Sequence, residues 1–121
     1  MNSQRHPFLD DLAEDVTLTS SVLRTALSGR EQVLKVVKAA GTLYRSQTPT
    51  FMGTIGNRML FQYESELGND LVAQGIAAIV RNDAGEVTEL QIAFSPLGAV
   101  LKIAAGIKEQ LAGDLPSEIF G

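Results

Sequence analysis

The side chains of this sequence that could do chemistry are few, and each stands apart from the partners it would need. His6 is the single histidine, so a multi-histidine metal site is excluded and His6 is the one imidazole that could serve as a base. Its place near the start of the chain predicts a solvated, idle ring. Ser20 and Ser21 could act as nucleophiles only beside a base, and no Gly-x-Ser-x-Gly elbow surrounds them. They read as pocket-polar or capping residues. The absence of cysteine removes thiolate zinc sites, disulfides and a thiol nucleophile together. Gly29 and the segment Gly53-Thr54-Ile55-Gly56 lack the Gly-Lys-Ser/Thr that would make a phosphate loop. No metal or cofactor is expected.

Tyr63 is better placed. It shares a strand face with Met59, Phe61 and Ser65, so its hydroxyl either enters a pocket or sits in the core with one hydrogen bond made. With Gln47, Gln74 or Gln91 it could polarise a carbonyl. Arg81 and Asp83 fall at a hairpin end, where a solvated turn is the simple reading. Arg58, Glu64, Glu66 and Glu89 suit cross-strand ion pairs, each worth little.

These residues are carried by an alternation of helical and extended patterns. Pro7 suits a first helical position, and Phe8, Leu9 and Leu12 beside Asp10, Asp11 and Glu14 predict a brief helix. A short strand follows at 16–20 and an irregular stretch at 21–27. Ser28 and Glu31 have the spacing of a capping box. The helix they open buries Val33, Val36, Val37, Ala40 and Tyr44, with Leu34 and Leu43 widening the stripe.

From Gln47 to Ser95 the period is two, broken at Gly56-Asn57, Gly68-Asn69 and Asn82 to Gly85. Four antiparallel strands are predicted at about 48–55, 58–67, 70–81 and 86–95. Ser95-Pro96 then reads as N-cap and first position of a closing helix whose face is Leu97, Val100, Leu101, Ala104, Ile107 and Leu111. Gly113 is its expected stop, and 114–121 reads as a loose C-terminal tail that Ile119 and Phe120 could anchor.

On the third meander strand Leu71, Ala73, Gly75, Ala77 and Ile79 alternate to one side. Alanine and glycine are poor strand formers, so the space above Ala73, Gly75 and Ala77 is either room for a ligand or the seat of the 28–44 helix. The opposite alternates, Val72, Ile76, Ala78 and Val80, would leave an apolar outer face that monomers rarely expose, which predicts a homodimer through the sheet.

The chain has 121 residues, a formal charge of -4 and 45% hydrophobic residues, as expected of one domain spanning 1–121 with no repeat or linker to divide it. Its basic residues are scattered, so nucleic acid is not an expected partner. No uninterrupted apolar run is long enough for a signal peptide or a membrane span, and a cytoplasmic location is expected.

The order helix, strand, helix and four-strand meander resembles the nuclear transport factor 2-like superfamily. Phe8 to Leu18, followed by Ser28-Gly29-Arg30-Glu31-Gln32-Val33, looks like its acidic helix end, first strand and second helix start. Asn82 to Val87 resembles its last hairpin, and Phe94-Ser95-Pro96-Leu97 is similar to the ending of uncharacterised SnoaL-like proteins. The resemblance implies an α+β fold in which a curved antiparallel sheet wraps helices into a cone, cystatin-like in outline. The N-terminal helix is shortened and a C-terminal helix added. The expected pocket lining is Ser20, Tyr63, Ala73, Gly75, Ala77 and Gln91.

Laid on the ketosteroid isomerase branch without a gap, Ser20 falls where the carboxylate base should be and Ala77 where the oxyanion acid should be. Isomerisation of that type is therefore not expected. The Asp-Arg-Asp set of limonene epoxide hydrolases, another branch, has only Arg81 and Asp83 to resemble it. Three functions stay open. The cone binds an apolar small molecule, or it houses an enzyme acting on a polyketide-, steroid- or terpenoid-like substrate, or it is filled and the chain is a dimerisation module.

Overall fold

In the computed structural model, which describes residues 8–68, 70–116 and 119–120, the elements run β1 (Leu12–Ser20), β2 (Leu27–Ser28), α1 (Arg30–Thr42), β3 (Ser46–Ile55), β4 (Arg58–Gly68), β5 (Leu71–Arg81), β6 (Val87–Ser95) and α2 (Leu97–Gln110). The period-two half of the chain forms the meander β3 to β6, because each inward side chain meets an inward partner across the strands. Phe61 faces Ala77 and Tyr63 faces Gly75, while Ile92 faces Ala77 and Phe94 faces Gly75. The sheet order is β2-β1-β6-β5-β4-β3. The pairing of β1 with β6 is parallel, so the sheet is mixed. Register shifts interrupt all four long pairings, and such irregularities bend a sheet and raise its twist.

The concave face carries the core. Helices α1 and α2 pack on each other, α1 on β1, and α2 on β5 and β6. Val33, Val36, Ala39 and Ala40 of α1 and Ala99, Ile103, Ala104 and Ile107 of α2 are buried, at the i, i+3, i+4 spacing that puts them on one stripe. Gln110 ties the helices together, donating from Nε2 to Thr42 Oγ1 at 2.7 Å.

Several local expectations are corrected. Pro7 and His6 lie outside the described residues, and the helix expected after Pro7 is a single 3₁₀ turn, Leu9–Asp11. The strand that follows is longer than expected because Leu12 already pairs with Val87. Ser28 does not form the capping box. It is drawn into the sheet opposite Thr17, and Gly29, at φ 106°, becomes the N-cap without a side-chain bond. Only glycine takes that backbone turn without strain. Ser95 likewise stays in β6 opposite Gln74, and α2 is capped by Pro96.

The residues expected as a loose tail are docked at their end. The Arg24 N–H donates to the Ile119 carbonyl at 2.8 Å, and Phe120 is buried beside Leu23. No helix among the described residues is long and apolar enough to cross a membrane.

Candidate functional site

The concave face and the two helices do not close on each other completely. A cavity of about 210 Å³ remains, walled by Leu18 and Val22 from the β1 region, Val36 and Ala40 of α1, Phe61 of β4, Ile92 and Phe94 of β6, and Ile107 of α2. Phe8 and Leu9 of the 3₁₀ turn complete it. An ion pair holds that turn in place, Arg81 Nη1 to Asp11 Oδ2 at 2.9 Å, and the same guanidinium donates to the Gly85 carbonyl at 2.7 Å. Lys38, Gly41 and Gln47 are lining residues exposed to solvent and mark the mouth. Among the described lining residues Lys38 is the one charge, and there is no carboxylate.

The polar feature inside is a pair of phenols. Tyr44 follows the end of α1, where its N–H donates to the Gly41 carbonyl at 3.3 Å and the next residue, Arg45, donates to the Glu66 carbonyl at 2.6 Å. This turn swings the Tyr44 ring over β4, and its hydroxyl lies 3.4 Å from that of Tyr63. The Tyr63 ring stacks on Phe61 with centroids 5.3 Å apart. It lies directly over Gly75, where an added Cβ would come within 2.5 Å of its Cζ. Ser65, two residues along β4, is fully buried, and its hydroxyl makes no hydrogen bond. It lies near enough to ease Tyr44 ionisation slightly.

Burial raises the pKa of Tyr44 well above the ordinary phenol value, and the neighbouring Tyr63 charge and hydrogen bond add to this. Burial raises that of Tyr63 too, partly offset by its hydrogen bond to Tyr44. Both hydroxyls therefore keep their protons at neutral pH. The two oxygens are 3.4 Å apart, either hydroxyl can donate to the other, and the Ser65 hydroxyl is a further neighbour of Tyr44.

No family model and no curated protein matches the sequence. Among solved structures, an uncharacterised protein of cystatin-like fold from Silicibacter pomeroyi DSS-3 superposes with a TM-score of 0.81 at 20% identity, covering 88% of this chain and 74% of that one. A steroid delta-isomerase from Pseudomonas aeruginosa gives 0.79 at 15% identity, over 87% and 77%. An NTF2-like protein of unknown function from Mesorhizobium loti gives 0.63 at 15% identity, over 74% and 76%. The chain has the nuclear transport factor 2-like fold. SnoaL-like proteins are among the further matches.

Within this nuclear transport factor 2-like cone, Ser20 and Tyr63 line the cavity, and so does Gln47. Ser20 is engaged locally, its Oγ accepting the Val22 N–H at 3.3 Å. Ala73, Gly75 and Ala77 face inward and are buried, but they do not line the cavity. Protein fills the room they leave, with the Tyr63 ring over Gly75 and α2 packed on the same strand.

Gln91 faces away from the cone. It pairs with Ala78 and Thr19 on the outer surface, because Leu90 and Ile92 take the inward positions of β6. Gln74 is also outside, donating to Glu64 Oε2 at 3.3 Å. Arg81 and Asp83 do not line the cavity. Tyr44 is the site residue that sequence reasoning assigned only to a helix stripe.

The phenol pair gives a pH prediction. In the unfolded chain both tyrosines ionise near pH 10; in the folded chain they ionise higher. Above about pH 10 the unfolded state thus holds fewer protons, so stability is fully present below that pH and is lost as pH rises toward the folded values. Alkaline titration is expected to show phenolate absorbance rising together with loss of secondary structure by circular dichroism. Full ionisation near pH 10 with an unchanged circular dichroism spectrum would contradict the buried pair.

Proposed function

We propose that this chain binds a small apolar molecule in the cone. The observation that carries the reading is a cavity with aliphatic and aromatic walls, no carboxylate among the described lining residues, and the Tyr44 and Tyr63 hydroxyls together, the composition of a binding pocket with few orienting groups. A second reading, an enzyme that polarises a carbonyl, is favoured by the tyrosine pair and by the likeness in fold to a steroid delta-isomerase. Among the described lining residues there is neither a carboxylate nor an imidazole to act as its base. The outer face supports association of two copies through the sheet. Phe51, Ile55, Leu60, Val72 and Ile76 are exposed there, Ile55 at 86%.

A thermal-shift series of compact apolar compounds tests the binding reading. At a hundred times its Kd a ligand adds about 2.7 kcal/mol to stability, a rise of roughly 10 °C for a domain of this size. Ala40→Phe places a ring in the cavity from the buried face of α1. It is expected to abolish the shift while leaving the unliganded melting temperature close to that of the parent. A shift that survives Ala40→Phe, or none with any compound, counts against ligand binding in the cone.

A further inference from the structure

The volume of the cavity limits what the cone can hold. A dry cavity of about 150 Å³ takes up benzene, so a close-fitting guest needs roughly 25 Å³ for each non-hydrogen atom. At that packing, 210 Å³ accommodates about eight such atoms. A four-ring skeleton would need roughly 500 Å³, within the ordinary range of drug-sized pockets but more than twice what is present.

The walls are not free to retreat. Phe61 is stacked against Tyr63, and Ile107 of α2 is fully buried. The roof is fastened where Gln110 bonds Thr42 and Leu43 packs into the gap at Gly106. Enlarging the cavity would mean lifting α2 from α1.

The polar end is equally restrictive. Lys38 and Gln47 are exposed at the mouth, and Ser20, whose oxygen accepts the Val22 N–H, keeps its O–H as a donor. Tyr44 and Tyr63 line the cavity, and a pair in which one hydroxyl donates to the other has a second O–H to offer a guest. A neutral acceptor suits it. A carboxylate would be desolvated there without a buried cation to offset the cost.

Resting on the reading of the cavity as a binding site, we infer that it selects a compact, neutral molecule of about eight non-hydrogen atoms, with one acceptor oxygen on the Tyr44–Tyr63 pair. A four-ring substrate of the steroid or polycyclic polyketide type exceeds that volume more than twofold.

Calorimetric titration of the intact protein tests this with acetophenone, its alkene isostere α-methylstyrene, benzoate and a 3-ketosteroid. Acetophenone is expected to bind roughly three- to tenfold tighter than α-methylstyrene, the worth of one neutral hydrogen bond, and tighter than benzoate. The ketosteroid is expected not to bind. The double variant Tyr44→Phe/Tyr63→Phe should bind the ketone and the alkene equally, and its retained affinity for the alkene shows that the cavity is intact. Equal affinities in the parent protein, preference for benzoate, a ketone preference that survives the double variant, or stoichiometric uptake of the ketosteroid would each overturn the inference and leave the binding site standing. Failure of all four compounds to bind would remove the binding reading itself.

Discussion

Replacing Gly75 by alanine is expected to destabilise the protein by about 3 kcal/mol, the upper end of what overpacking costs, and to lower its melting temperature by roughly 10 °C. The sign is the informative part. A glycine inside a strand ordinarily costs roughly 0.5–1 kcal/mol relative to alanine, so without a clash the substitution would stabilise. At Gly75 the new Cβ meets Tyr63 Cζ at 2.5 Å, Cε2 at 2.6 Å and the hydroxyl oxygen at 2.9 Å. The ring is held against Phe61 and has no cheap way to yield. The cost should largely vanish in a Tyr63→Ala background, a coupling that a double-mutant cycle reads directly. Thermal denaturation of the four proteins is the measurement. A Gly75→Ala variant as stable as the parent would show that the tyrosine is not seated as described.

The second large effect concerns assembly. Ile76 is 40% exposed at the centre of the outer face, between Gln62 of β4 and Ala93 of β6, with Leu60 and Ala78 on the neighbouring pair. If two copies pair through this face about a two-fold axis, each substitution enters the interface twice. Ile76→Asp then buries two carboxylates without partners. Light scattering at micromolar concentration is expected to give a dimer for the parent chain and a monomer for Ile76→Asp. A monomeric parent, or a dimeric variant, removes the sheet from consideration as the interface.

The elements were legible because local signals agreed with one another. Alternation on β4 and β5, with glycine at the turns, fixed both the strands and which residues face the helices. The capping expectations failed where tertiary pairing outbid a local bond. Ser28 and Ser95 have the right spacing for caps, but each is taken up by a strand partner.

The site was harder to read because it depends on registers and turns that no window of sequence contains. The small side of β5 was visible, but its meaning required knowing that Tyr63 sits opposite Gly75. Tyr44 and Tyr63 are nineteen positions apart and meet only because the turn after α1 bonds to β4 at Glu66. Gln91 was misplaced against a signal that was present, since Leu90 and Ile92 flank it and must share the opposite face.

On the proposed function, the cone and not the outer face takes an apolar guest. Methyl-resolved nuclear magnetic resonance during titration with acetophenone tests it most directly. The methyls of Leu18, Val22, Val36 and Ile92 wall the cavity, whereas those of Val72 and Ile76 lie outside. Saturable shifts confined to the first group are expected. Saturable shifts at Val72 and Ile76 with the cavity methyls unmoved would contradict it.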